Sequence, residues 1–269
     1  MTAIVGTRTT HDDITLATRH WAVADPRAAI VLVHGLAEHT GRYDHVADRF
    51  ASRGFDVRGT DLRGFGRSGG DRAYVEDFSE YTTDLANDIT AARDLGVPVV
   101  LLGHSLGGLI AILYATEDHP QPDLLVLSAP AVDAELPRVK ALAAKALGRV
   151  LPRLKVSNGL KAEQLSRDPT VGERYFADPL VFPKSTVRLA TAFMDAAERA
   201  RDSLERIAQP TLVVHGGSDT IVEPRFSEPV GRLPGATRVV FDGFRHESFN
   251  EEGGTLAATT IADWISDQS

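Results

Sequence analysis

The feature that most constrains this chain is a rhythm: short, continuous apolar runs rich in β-branched residues recur along it, with helical patterns between them. The runs are Ala29-Ile30-Val31-Leu32-Val33, Val97 to Leu102, Leu124 to Leu127 and Thr211 to Val214, and the same signature is read at Phe55 to Thr60 and Thr237 to Phe241, where Asp56, Arg58 and Arg238 interrupt it. Runs of this length without polar alternation fit strands covered on both faces. The helical patterns cover Tyr43 to Arg53, Phe78 to Leu95, Leu106 to Glu117, Phe226 to Leu233 and Gly254 to Ile265. Strands alternating with helices imply crossover connections, so the spacing predicts one α/β fold, a mostly parallel central sheet with helices on both faces. Ile14 to Val23 alternates instead and reads as a half-exposed edge strand or hairpin.

From Ala131 to about Arg206 the rhythm stops, leaving helix-compatible segments punctuated by Pro137, Pro152, Pro169, Pro179 and Pro183. So long an excursion between two core strands is no plain connection. The expected organisation is a core of residues 1–130 and 207–269 with a helical lid, or cap, inserted at 131–206.

Composition narrows the chemistry. The chain has no cysteine, which excludes a disulfide framework, a thiolate nucleophile and any Cys-ligated metal centre. With 29 Lys+Arg against 37 Asp+Glu, its net charge of −8 gives no basic field for nucleic acid. The first residues show no basic region followed by an apolar core, and no apolar run approaches the ~20 residues that span a bilayer. The expected location is the cytoplasm, with a possible place at the membrane periphery.

Ligands of open α/β sheets bind beyond the carboxyl ends of the strands. Four such ends carry polar residues: His34-Gly35-Leu36, Gly103-His104-Ser105-Leu106-Gly107, Gly216-Gly217-Ser218-Asp219 and Gly243-Phe244-Arg245-His246. The second is a G-x-S-x-G string, in which a serine on a sharp strand-to-helix turn needs neighbours without side-chain bulk. Gly66-Arg67-Ser68-Gly69-Gly70 also fits the string, but only Ser105 follows an apolar run and precedes a helical pattern, Leu106 to Leu113. Ser105 is therefore the candidate nucleophile and Ser68 a turn residue. A serine hydroxyl needs a base, and the base a carboxylate, in the chain order Ser, acid, His. Of nine histidines, only His119, His215 and His246 follow Ser105. His119 sits in a helix-end turn and His215 ends a buried strand, which leaves His246, in a loop after the last strand, as the base. Asp219, on its Gly-Gly-Ser turn, is the preferred acid; Asp242, Asp123 and Asp133 are weaker alternatives. Acyl transfer also needs donors for an oxyanion, supplied by the backbone N–H groups of Leu36 and Leu106, with Gly35 allowing close approach.

With these residues the sequence resembles the α/β-hydrolase superfamily, and within it the monoacylglycerol lipase or lysophospholipase-like family of serine aminopeptidase S33 type. The resemblance rests on residues 34–43 and 61–70, Gly103 to Gly108, Ser128-Ala129-Pro130-Ala131, Ser166-Arg167-Asp168-Pro169, Asp178-Pro179-Leu180-Val181 and His246 to Glu251. It implies Ser105, Asp219 and His246 as the triad, the N–H groups of Leu36 and Leu106 as the oxyanion hole, and cleavage of monoacylglycerols, lysophospholipids or related esters without metal or organic cofactor. Two features depart from the family: Leu62 and Phe65 stand where relatives usually carry histidine, and the cysteines of mammalian relatives are missing.

From Leu136 to Ala162 the excursion carries Arg138, Lys140, Lys145, Arg149, Arg153, Lys155 and Lys161 with no acidic residue. Val139, Leu142, Ala143, Ala146, Leu147 and Val150 are interleaved at helical spacing. Such a helix rests on an anionic lipid surface, or packs its apolar face on the lid while the basic face is solvated. The expected activity is hydrolysis of a lipid-like, single-chain ester, with transient membrane contact through 136–162. The rivals are a short-chain carboxylesterase, a thioesterase or peptidase on the same fold, and a non-catalytic ligand-binding homologue.

Overall fold

The computed structural model describes residues 2–133, 138–252 and 254–268. The chain opens with β1 (Ile4–Thr9), β2 (Thr15–Trp21) and β3 (Ala28–Val33), followed by α1 (Asp44–Ser52), β4 (Phe55–Thr60), α2 (Ser79–Arg93), β5 (Val99–His104), α3 (Leu106–Thr116) and β6 (Leu124–Ser128). Next come α4 (Arg138–Val150), β7 (Lys155–Ser157), α5 (Ala162–Leu165), α6 (Pro169–Ala177), β8 (Lys184–Thr186) and α7 (Val187–Ser203). The chain closes with β9 (Thr211–Gly216), α8 (Glu228–Gly231), β10 (Ala236–Phe241) and α9 (Thr255–Asp267).

The main sheet runs β1-β2-β4-β3-β5-β6-β9-β10. All neighbours from β4 to β10 are parallel, while β1–β2 and β2–β4 are antiparallel. The expected mostly parallel sheet is thus present. Because side chains alternate across a strand, each apolar run feeds two cores at once. Val31, Leu101, Leu127 and Val213 face α2, α3 and α7, whereas Ile30, Leu102, Val126 and Val214 face α1 and α9. Two-sided burial explains why these strands read as unbroken apolar runs; each such side chain contributes roughly 1.5–3 kcal/mol.

Three readings need correction. Of the two readings of the segment near Ile14, the hairpin holds, since β2 pairs antiparallel with β1, and the edge strand does not: β2 lies inside the sheet, and β1 takes the edge. That strand, Ile4-Val5-Gly6-Thr7-Arg8-Thr9, is largely exposed and carries no apolar periodicity. The expected helix from Phe226 to Leu233 is a 3-10 turn at Pro224–Ser227 followed by the single turn α8, which has Pro229 in its first turn. The excursion after β6 is not wholly helical, because β7 and β8 pair antiparallel. Its last helix, α7, packs Leu189, Ala192 and Ala196 into the same core as α2 and α3. Among the described residues no helix is long and apolar enough to cross a membrane.

Leu136 and Pro137 lie outside the described residues, as do the side chains of Arg138, Val139 and Lys140. Of the remaining apolar face of α4, Leu142 is 68% and Val150 75% exposed. The helix instead sets Gly148 against Thr191 of α7 and joins Lys145 to Asp195 at 2.6 Å.

Candidate active site

The site forms where β5 stops and α3 starts. Ser105 sits between them with φ 53° and ψ −114°, a left-handed conformation that a residue with a Cβ adopts at a cost of about 1–3 kcal/mol. The flanking glycines show why the turn has its sequence. A Cβ on Gly103 would lie 2.2 Å from the Gly107 carbonyl oxygen, and one on Gly107 would lie 2.1 Å from that of Val33. Helix α3 is buried throughout, so these approaches fix its first turn against β3 and β5. Ser105 is thereby held at the helix N-terminus, where orphan N–H groups and the helix dipole favour negative charge.

Three segments distant in sequence converge on this serine. The Nε2 of His246 lies 2.9 Å from Ser105 Oγ, and its Nδ1 lies 2.7 Å from Asp219 Oδ2. An anionic Asp219 only accepts, so Nδ1 carries the proton and Nε2 receives the Ser105 hydroxyl hydrogen. The second oxygen of Asp219 accepts the N–H groups of Ile221 and Val222 at 2.8 and 3.0 Å. Burial opposes the charged carboxylate, but the His246 charge and hydrogen bonds from His215, His246 and Val222 hold its pKa well below the usual range. Burial likewise opposes a charged His246, yet the Asp219 carboxylate raises its pKa above the ordinary histidine value.

Leu36 and Leu106 line the same pocket as Ser105 and His246. Leu106 opens α3, and among the described residues the Leu36 N–H donates to no acceptor. Gly35 abuts the serine, since a Cβ there would lie 3.4 Å from that of Ser105. His34 fixes this loop: its Nε2 accepts the Leu62 N–H at 2.9 Å, so its Nδ1 donates to the Gly35 carbonyl at 2.8 Å.

The remaining candidates fall elsewhere. Ser68 Oγ accepts the Ala17 N–H at 2.9 Å inside a buried turn. His119 stacks on Tyr114. His215 uses both ring nitrogens, on Ser227 and Val222, and sits 3.3 Å from Asp219 Oδ2. Among the alternative acids, Asp242 is exposed and Asp123 accepts the Val99 N–H at the far end of β5. Asp133 lines the pocket but pairs with Arg201 at 3.4 Å.

Sequence reasoning missed a buried polar network around Ser105, His246 and Asp219. Glu38 accepts the Gly35 N–H at 2.6 Å, the Tyr43 hydroxyl at 2.7 Å and an Arg42 N–H. Arg42 in turn pairs with both oxygens of Glu247 and stacks 4.7 Å over the Tyr175 ring. Burial opposes the charge on Arg42, but the two carboxylates keep it fully protonated. The available signal was the Glu38/Arg42 spacing of four within a strand-end loop; nothing local pointed to Glu247. His104, the variable residue of the elbow, is also buried, with its ring 4.9 Å from that of His246. Burial, then repulsion from His246, pushes its pKa down to about 4, so it stays neutral beside that imidazole.

The excursion also holds the histidine loop. The His246 and Glu247 N–H groups donate to Gln164 and Leu165 carbonyls at 3.4 and 2.8 Å. Fully buried Glu251 accepts the Arg245 N–H at 2.7 Å and Arg167 Nε at 3.0 Å. The pocket over Ser105 encloses about 170 Å³ and is mostly apolar, with Leu36, Leu160, Leu165, Phe193, Ile221 and Val222 in its walls. A wider cleft of about 500 Å³ lies beyond Arg42 and contains neither Ser105 nor His246.

Comparison with known proteins agrees with this architecture. The sequence model of the family described as serine aminopeptidase, S33, matches residues 24–253. The monoacylglycerol lipase of Mycolicibacterium smegmatis is 37% identical over 250 residues, covering 90% of this chain and 89% of that protein. The crystal structure of Paleococcus ferrophilus monoacylglycerol lipase superposes with a TM-score of 0.83 at 33% identity, covering all of both chains. A soluble variant of monoglyceride lipase from Saccharomyces cerevisiae, solved with a substrate analogue, shares the fold with a TM-score of 0.89 at 19% identity, over 100% of this chain and 96% of that one.

Proposed function

This chain belongs to the serine aminopeptidase S33 family of α/β-hydrolases, and on that premise we propose that it hydrolyses carboxylic esters of monoacylglycerol or similar single-chain lipid type. The observation that carries the reading is the unbroken hydrogen-bond chain from Ser105 Oγ through His246 to Asp219, at a strained elbow under an apolar pocket.

In this reading Ser105 Oγ attacks the ester carbonyl carbon while His246 Nε2 takes its proton. The carbonyl oxygen becomes an oxyanion facing the N–H groups of Leu36 and Leu106. Collapse of the tetrahedral species breaks the bond to the alcohol, which leaves with the proton from His246. Water, deprotonated by His246, then attacks the acyl-Ser105 carbonyl; the acid departs and Ser105 regains its proton. Asp219 fixes the imidazole tautomer and balances the imidazolium formed in each half.

Residues 131–206 serve as the cap over this site, supplying Leu160, Leu165 and Phe193 to the pocket wall and backbone support to the histidine loop. The exposed apolar side chains of Leu142, Leu147, Val150 and Leu151 lie near Arg149, Arg153 and Lys155 in sequence. That pairing favours transient docking of the cap on an anionic lipid surface, from which an amphiphile enters the pocket. A panel of p-nitrophenyl esters from two to sixteen carbons, with a monoacylglycerol and a diacylglycerol, tests the reading. Monoacylglycerol turnover by the full chain, lost in Ser105→Ala, is the expected outcome; equal rates in the two proteins contradict it.

A further inference from the structure

A second histidine reaches Asp219 and has no part in the steps above. His215 is fully buried near the end of β9, four residues before Asp219. The turn between them packs backbone to backbone on the His246 loop, since a Cβ on Gly216 would lie 2.1 Å from the Arg245 carbonyl oxygen. The Nε2 of His215 lies 2.9 Å from the Val222 carbonyl oxygen and 3.3 Å from Asp219 Oδ2, the oxygen that meets His246. Val222 in turn donates its N–H to the other carboxylate oxygen at 3.0 Å. His215 therefore bears on both oxygens of Asp219, one directly and one through Val222.

Both partners of Nε2 only accept, so that nitrogen carries a hydrogen. The other ring nitrogen, Nδ1, lies 2.9 Å from Ser227 Oγ, which also accepts Arg238 Nε at 3.0 Å. Ser227 has one hydrogen, and either Nδ1 or the Pro224 carbonyl at 2.9 Å takes it. The first arrangement leaves the ring neutral; the second makes it a cation beside the Asp219 carboxylate. Nε2–H faces Val222 and Asp219 in both. Asp219 faces the ring from its own turn, Arg238 of β10 faces it through Ser227, and His246 meets it across the shared Oδ2.

We propose that His215 is a positioning residue for Asp219: its Nε2–H, shared between Oδ2 and the Val222 carbonyl, fixes the carboxylate that orients His246 and tempers how tightly that carboxylate holds a proton on the imidazole. The assignment rests on the ester-hydrolase reading and lengthens its hydrogen-bond chain by one residue. A carboxylate oxygen with two donors is a weaker base than the same oxygen with one. Loss of the His215 donor therefore strengthens the pull of Asp219 on protonated His246 and raises the pH at which that imidazole becomes neutral. A histidine that only fills space changes stability and leaves that pH in place.

The test compares the full chain with His215→Leu and with His215→Gln, whose amide keeps an N–H for Oδ2. The pH profile of kcat/KM for p-nitrophenyl butyrate is recorded for each protein shown to be folded by circular dichroism. In His215→Leu the acid limb is expected to move up by about half a pH unit, with kcat lowered roughly 3- to 10-fold. In His215→Gln the limb returns to its place and kcat to within about two-fold of the unaltered protein. A limb that stays or moves down in folded His215→Leu overturns the proposal, and so do equal shifts in the two variants. A second measurement decides the matter even where a variant does not fold: a long-range proton–nitrogen correlation spectrum of the unaltered protein labelled in its histidine rings. Hydrogen on Nε2 of His215 on both sides of the acid limb is expected, and a bare Nε2 overturns the assignment. Failure of the unaltered protein to cleave any p-nitrophenyl ester removes the ester-hydrolase reading and this assignment with it, whereas cleavage with an unmoved limb removes the assignment alone.

Discussion

Arg42 and Glu247 are joined by two parallel hydrogen bonds of 2.7 Å, Nη1 to Oε1 and Nη2 to Oε2, and Glu247 is the chain neighbour of His246. The same guanidinium bonds to Glu38, which holds the Gly35 N–H beside Ser105. One buried cation therefore clamps the His246 loop onto the Gly35–Leu36 loop. Arg42→Met leaves two buried carboxylates uncompensated and is expected to cost about 3–5 kcal/mol in denaturant unfolding. Arg42→Lys restores only part of this, because an ammonium cannot make the two-pronged pair. Equal stability of the lysine variant and the unaltered protein contradicts the clamp.

Asp219 raises the pKa of His246, and in the proposed reaction His246 takes up a proton only from its neutral form. The acid limb of the kcat/KM profile therefore falls above the ordinary histidine value of 6.5. Asp219→Asn removes that support, so the limb moves to lower pH while kcat drops by about 10³–10⁴. A limb that stays in place in Asp219→Asn contradicts the assignment of the acid.

The elbow glycines leave no room for a methyl group. Gly107→Ala sets a Cβ against the Val33 carbonyl at 2.1 Å, where only the backbone can yield. The expected loss is about 2–4 kcal/mol, with a lower Tm by circular dichroism. Gly96→Ala is a different case: nothing lies within 4 Å of that position, and its cost comes from the left-handed φ of 69° alone.

His104 is neutral in the fold, with its pKa pushed down to about 4 from 6.5. As pH falls the unfolded chain takes up this proton first, so the contribution is complete above pH 6.5 and lost between 6.5 and 4. The loss is on the order of 3 kcal/mol. His246 shifts the opposite way and partly offsets it, so the comparison is made against His104→Asn. Urea unfolding at pH 7.5 and 4.5 is expected to show a smaller drop in the variant than in the unaltered protein; equal drops contradict the account.

The exposed apolar face of α4 makes a separate prediction. Leu142→Ser with Val150→Ser is expected to weaken co-sedimentation with anionic vesicles without lowering hydrolysis of a soluble short-chain ester. Binding of the unaltered protein is expected to fall as salt screens Arg149, Arg153 and Lys155. Unchanged vesicle binding in the double variant rules out this face as the contact.

The parallel strands and the elbow were legible in the sequence because their chemistry is local. A strand buried on both faces is an apolar run, and a serine on a sharp turn needs Gly103 and Gly107 on either side. Chain order left His246 and Asp219 as the first choices, and the structure joins both to Ser105 in one hydrogen-bond chain. What local reading misses is pairing at long range. Arg42 meets Glu247, and Gln164 and Leu165 support the His246 loop, only after the excursion folds back on the sheet. Strand β1 escaped for the opposite reason: it is held by backbone pairing to β2, with little apolar burial to leave a periodic trace.

In the proposed reaction Ser105 carries the acyl group as a covalent intermediate. Intact-mass measurement and peptide mapping after treatment with a fluorophosphonate report that nucleophile. One adduct per chain is expected, on Ser105, with none in Ser105→Ala and strongly reduced labelling in a His246→Ala variant that still folds. An unlabelled native protein, or an adduct on another serine with Ser105 untouched, contradicts it.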